Sequence, residues 1–277
     1  MILAAGTYLV DRAWPDGVSL RGRCVRDTVL AADEGTERAA VLDIDEHEEA
    51  VRIESVTVGP SPIRAVRVAN TGAAVTLEGV LVDRVTDVEN PGTPGSGAVL
   101  VTDGGAMVAM SLVVRETRSR EGGIRGRGVQ VQFRARLELR RALLERNRAT
   151  AVFLGGDGTH AVLEDVVVRD TLAQESDGAR GVGLGVLFGA RVELRRGVFV
   201  RNREFGVASF DDGTEAVLED VVVRDTLALE SDGAFGRGLG GQDAARVELR
   251  RGVFERNREF GVYSFDDITR AKIKEIV

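Results

Sequence analysis

The chain has 277 residues, 43% of them apolar, with 44 acidic against 37 basic residues and a formal net charge of −7. That is enough apolar material for a substantial core, and the acidic balance excludes an electrostatic nucleic-acid footprint. The single cysteine, Cys24, excludes an intrachain disulfide framework, and no run approaches the ~18 apolar residues that span a bilayer.

In chain order, the opening Met1-Ile2-Leu3-Ala4-Ala5-Gly6-Thr7 has no basic region and too short an apolar stretch for a secretory leader. Ile53–Val58, Leu77–Val82 and Met110–Arg115 then read as short strands, bounded by charged or glycine corners and too brief for helices. From Ala135 the pattern becomes a repeat of 55 residues. Ala135-Arg-Leu-Glu-Leu-Arg-Arg141 returns as Ala190-Arg-Val-Glu-Leu-Arg-Arg196 and as Ala245-Arg-Val-Glu-Leu-Arg-Arg251. Ala161–Thr171 recurs unchanged at Ala216–Thr226, and Ala190–Asp212 matches Ala245–Asp267 except at Val200/Glu255 and Ala208/Tyr263. Such a period predicts a stacked architecture in which each unit buries its apolar face only against its neighbours. Each repeat divides into a 25-residue piece (Ala190–Thr214) and a 30-residue piece (Glu215–Ala244), one coil apiece.

The string Leu194-x-x-x-Val198-x-Val200-x-Asn202, followed by Gly206-Val207, resembles the repeats of the pectin lyase-like superfamily. Ile2–Tyr8 followed by Asp16–Gly22 is similar to that superfamily's opening coils. The resemblance implies an all-β fold, a single-stranded right-handed parallel β-helix of about nine or ten coils. We therefore expect one domain over 1–277, with irregular coils at 1–134 and regular two-coil repeats at 135–269. Residues 270–277 then start a further coil or cap. The resemblance also implies an amphipathic cap helix before the first coil, which this chain lacks. The end, Ala271–Val277, aligns with Ala216–Val222, the first strand of the next coil. An uncapped coil presents unpaired backbone groups, which predicts end-to-end self-association.

Stacked coils would place equivalent residues ~4.8 Å apart. One predicted column runs Arg140-Arg141, Glu164-Asp165, Arg195-Arg196, Glu219-Asp220, Arg250-Arg251, alternating in sign as a salt-bridge ladder. A second runs Asn147, Asp170, Asn202, Asp225, Asn257, residue types that tolerate left-handed backbone and whose amides would stack. A third is Asp157, Asp212, Asp267, with Asp211 and Asp266. Such carboxylates suit a hard cation such as calcium, but their ~9.6 Å spacing is too wide for one calcium ion unless the intervening coil supplies a ligand, so solvated turn aspartates are expected. His47 and His160 form no pair and are expected at the surface. Phe199/Phe254, Phe205/Phe260 and Phe210/Phe265 recur at the repeat period and are expected in or near the core.

The longer coils carry excursions at one corner: 86–97, 117–128, 171–183 and 226–238. Loops on a rigid scaffold carry function. The candidate ligand-binding residues are therefore Asp87, Glu89, Arg127, Glu175, Asp177, Arg180, Glu230, Asp232 and Arg237. No catalytic or metal-ligating residue and no cofactor is assigned. The sets implied by polygalacturonase-like enzymes, Asn-Thr-Asp, Gly-His-Gly and Arg-Ile-Lys, do not occur. The functional expectation is a non-enzymatic β-helical module with a structural or glycan-binding role. It would act outside the cell or at its surface, given a leader outside this chain, with polysaccharide or cell-surface glycan as partner. The alternative is a lyase or hydrolase of acidic polysaccharide, for which Asp83, Asp87, Glu89, Arg115 and Glu116 would have to form a unique acidic cluster.

Overall fold

A computed structural model describes residues 1–33, 38–86, 95–120, 122–264 and 270–276, the last stretch by its backbone alone. All regular structure among them is strand, and every strand pairing is parallel. Two sheets form, one of sixteen strands and one of nine. Parallel strands joined by crossovers make a parallel β-helix, right-handed by the sense such crossovers take.

Each coil has three faces. Early in the chain the first two are separate short strands, such as Val75–Glu78 and Leu81–Asp83. From Arg136 they fuse into bent ten-residue strands: Arg136–Glu145, His160–Arg169, Arg191–Val200, Glu215–Arg224 and Arg246–Glu255. The bend falls at a left-handed residue in each: Arg141, Asp165, Arg196, Asp220 and Arg251. Among the described residues no β-branched side chain has positive φ. This is the expected selection, because branching at Cβ makes that backbone region costly. The third face is the nine-stranded sheet, running from Leu42–Asp45 to Val262–Ser264.

Stacked apolar columns fill the interior. Leu139, Leu163, Leu194, Leu218 and Leu249 align in register and are at most 1% exposed. Leu144, Val168, Phe199, Val223 and Phe254 form a second column on the next face. Phe199 and Phe254 thus lie in or against the core, as their period predicts.

The register corrects two sequence expectations. Arg191 pairs Glu215, which pairs Arg246, so the repeat divides as 24 and 31 residues rather than 25 and 30. The asparagines are not in register with Asp170 and Asp225. Glu145 pairs Arg169, which places Asp170 level with Arg146 and Asn147 level with Thr171. The left-handed corner is held by Arg146, Asp170, Arg201, Asp225 and Arg256, and the asparagine follows it and turns inward. Buried Asn202 accepts from the Thr171 hydroxyl (2.7 Å) and donates to the Val168 carbonyl (3.2 Å). Asn147 and Asn257 repeat this with Thr117 and Thr226. The column alternates amide with hydroxyl because each threonine supplies the proton that the next asparagine carbonyl accepts.

The charge column stands in the predicted register. Arg196 bridges Asp165 (2.6 Å) and Glu164, Arg251 spans Asp220 and Glu219 (2.8 Å), and Arg195 meets Glu219 at 3.3 Å. A parallel ladder joins Arg201 to Asp170 and Arg256 to Asp225, each at 2.6 Å. The guanidiniums hold Asp165, Asp220 and Asp225 below their ordinary carboxyl value.

Candidate ligand groove

The third face differs from the other two in being buried on both sides. Inward Val152, Leu184, Val207 and Leu239 reach the core, while outward Phe153, Val182 and Ala208 are also buried. Described residues of the corner excursions, Gly95, Arg125, Arg127, Ala179, Arg180 and Leu229, border the outward side, and between them and the sheet runs a groove.

Its first cavity, about 490 Å³, is lined by Arg125, Arg127, Gln130, Gln132, Phe153 and Phe188, with Phe133 at the same rim. Arg127 lies over the Phe153 ring at 4.0 Å and donates to Gln130 Oε1 at 2.6 Å. Phe133 and Phe188 sit at left-handed corners (φ 51° and 57°) and are 44% and 59% exposed. Bulky apolar side chains at a strained, exposed backbone position point outward from fold to function.

The second cavity, about 350 Å³, shares Phe153 and is bounded by Arg180, Val182, Gly185, Glu204, Phe205 and Ala208. Gly185 forms open floor, where a Cβ would meet nothing closer than 3.4 Å. One repeat further on the floor is closed, because the Phe205 ring lies 2.5 Å from where a Gly240 Cβ would stand. Burial pushes the Glu204 carboxyl above its ordinary value, against the opposing pull of Arg180 and Arg237; Asp232 adds to the rise.

The excursion residues divide by charge. Arg127 and Arg180 line the groove. Arg237 pairs Glu259 at 2.7 Å and lies over Tyr263 at 3.8 Å and Phe235 at 4.7 Å. The acidic candidates support the loops instead. Glu175 pairs Arg148 (2.8 Å), Glu230 pairs Arg203 (2.7 Å), and Asp177 and Asp232 accept from the Ala179 and Ala234 amides. Asp87 and Glu89 lie outside the described residues. The unequal-coil cluster is not assembled from its described members. Asp83 is buried against Arg115 (2.7 Å) and Arg84 (2.9 Å), and Glu116 pairs Arg146 (2.8 Å).

Other expectations change on this face. Phe205 is buried in a small second core cluster with Val182 and Ala208 on the outer side of this face, and Phe210 packs against it, the two rings meeting edge to face at 5.5 Å; Phe260 departs from the expectation, being 46% exposed. Phe265 lies outside the described residues. His47 is buried, with Nε2 at 2.9 Å from the Trp14 carbonyl, and His160 is half-buried. Asp211 accepts from the Phe188 amide and Asp212 from Gly213, so they hold turns. Between Asp157 and Asp212 the intervening coil offers Gly189, which supplies no ligand side chain. Asp266 and Asp267 fall outside the described residues.

Sequence reasoning missed Phe153, Gln130, Phe188 and Glu204. A signal for Phe188 and for the position of Phe153 existed in where the repeats disagree. Arg180/Phe235, Val182/Arg237, Leu187/Gln242, Phe188/Asp243 and Ala208/Tyr263 are all mismatches, and each involves a residue lining the groove. The ladder motifs on the first two faces stay nearly unchanged.

No family model matches the chain, and no curated protein matches it. Among solved structures it is similar to the A-module of mannuronan C-5 epimerase AlgE4 from Azotobacter vinelandii. That likeness has 11% identity and a TM-score of 0.34, over 99% of this chain and 90% of that one. The AlgE6 A-module from the same organism gives 12% identity and a TM-score of 0.33, over 100% and 90%. Neither likeness bears on activity.

Proposed function

We propose that the chain is a non-enzymatic β-helical binding module that holds an acidic glycan along its third face, displayed outside the cell or at its surface. The observation that carries this reading is the 490 Å³ cavity, where Arg125 and Arg127 stand beside outward Phe153, Phe133 and Phe188. Guanidinium forks match carboxylates, and exposed aromatic faces cover the apolar faces of sugar rings. Hydrolysis of a glycosidic bond needs two carboxyl groups roughly 5–9.5 Å apart. Among the described residues lining both cavities, Glu204 is the one carboxylate.

Calorimetry with oligouronates and matched neutral oligosaccharides tests the reading. Acidic oligomers should bind more tightly. Phe188→Ala and Arg127→Ala should each weaken them about tenfold, or ~1.4 kcal/mol. Equal affinity for neutral oligomers, or indifference to both substitutions, contradicts the proposal. Release of unsaturated or reducing-end products would replace it with the lyase or hydrolase reading.

A further inference from the structure

The second cavity occupies a place that the next repeat fills with its own side chain. There the Arg237 guanidinium lies between Tyr263 and Phe235, with Phe205 and Phe260 within 5.8 Å, and is held by Glu259 at 2.7 Å. One period earlier the corresponding residues are Val182 for Arg237, Ala208 for Tyr263, Phe205 for Phe260 and Glu204 for Glu259. The carboxylate and one ring are kept. The guanidinium and the tyrosine are replaced by small apolar residues, and a cavity of about 350 Å³ stands in their stead. Glu204 sits at a left-handed corner, half-buried, and among the described residues Arg180 and Arg237 act on its carboxylate through space without a direct ion pair or hydrogen bond to it. In the first repeat Arg127 occupies the position equivalent to Val182, so the middle repeat lacks the arginine there, and it carries Arg180 at the cavity rim where the next repeat has Phe235.

From this we infer that the cavity over Gly185 is a binding site for an external guanidinium group, with Glu204 as counter-ion and Phe205 as a stacking face. Arg237 and Glu259 show the geometry that the ligand would adopt. The half-buried carboxylate accepts no hydrogen bond from the described residues, and an incoming guanidinium supplies charge and donors that match it. The charged groups acting on Glu204 are Arg180, Arg237 and Asp232. Arg180, at the exposed rim, opposes a cation and sets a modest affinity. This site is independent of the acidic-glycan reading, which rests on the first cavity.

The test titrates methylguanidinium, and separately a capped Gly-Arg-Gly peptide, into the intact chain while following the amide resonances of Gly185 and Ala208. Both probes should shift them saturably. Tighter binding of the peptide would assign the natural ligand to an arginine side chain of a protein partner, and tighter binding of methylguanidinium to a small guanidino compound. Glu204→Gln should weaken binding at least tenfold, and Arg180→Ala should strengthen it a few-fold. Val182→Arg should abolish it and raise the melting temperature by restoring the internal pair, a readout that does not depend on ligand. Unchanged affinity in Glu204→Gln, or a Val182→Arg protein that still binds or melts lower than the parent, would overturn the inference. Loss of oligouronate binding alone would leave it standing.

Discussion

At the scale of single residues, buried Asn202 and half-buried Glu204 behave in opposite ways. Asn202 is satisfied on both sides, by the Thr171 hydroxyl and the Val168 carbonyl. Asn202→Leu strands both of those groups, at ~1–3 kcal/mol each. Thermal or urea unfolding should register a loss of about 2 kcal/mol or more, and a neutral result would mean the inward amide is not holding its corner. Glu204 carries an unmet cost. Its carboxyl titrates above the unfolded value, so the folded state binds the extra proton and stability rises as pH falls through the folded pKa. Glu204→Gln should therefore raise the melting temperature at pH 7, with the gain shrinking to nothing by about pH 4. A constant difference across that range would contradict the assignment. Asn202 was legible in the sequence as a corner residue, but its register was not. Nothing in an alternating Asn/Asp series tells that the left-handed residue is the arginine before the asparagine. Glu204 was hidden more deeply, because its copy Glu259 has an arginine partner and only the stacked structure shows that Val182 removes the first one.

At the scale of the strand, the ladders decide how the coils lock together. Each ten-residue strand bends at a charged left-handed residue whose partner one coil away has the opposite sign. Glu219→Arg with Asp220→Arg would set four arginine pairs in one column, and the melting temperature should fall by several degrees, more at low salt than at high. Unchanged melting would refute the register. The arginines keep Asp165, Asp220 and Asp225 below the ordinary 3.8, so their contribution is present above that value and is lost as pH falls through the lower folded values. A pH series should show acid unfolding steepening in that range, and the double variant should lose the share due to Asp220 while keeping that of Asp165 and Asp225. This level was the most legible, since charge alternation and the apolar period both follow from the fixed spacing of coils. In the core, Leu194→Ala should cost ~2–5 kcal/mol, because its column neighbours Leu163 and Leu218 are held by their own coils and cannot close the gap.

At the scale of the whole molecule, two faces serve assembly and one is free to vary. The repeats keep the residues that join coil to coil and change those that line the third face. Phe188 in one copy is Asp243 in the next, and Val182 is Arg237. This division was not legible before the coils were stacked. Phe205 and Phe210 on this face share the repeat period with Phe199 of the main core, and periodicity alone cannot say which side of a strand they occupy. The account's central claim is that ligand recognition belongs to the third face. Amide hydrogen exchange of the intact chain, with and without a saturating oligouronate, tests it most directly. Protection should concentrate in 123–133, 150–155 and 182–189, with the bent strands of the first two faces unaffected. Protection confined to those bent strands, or none at saturation, would contradict the account.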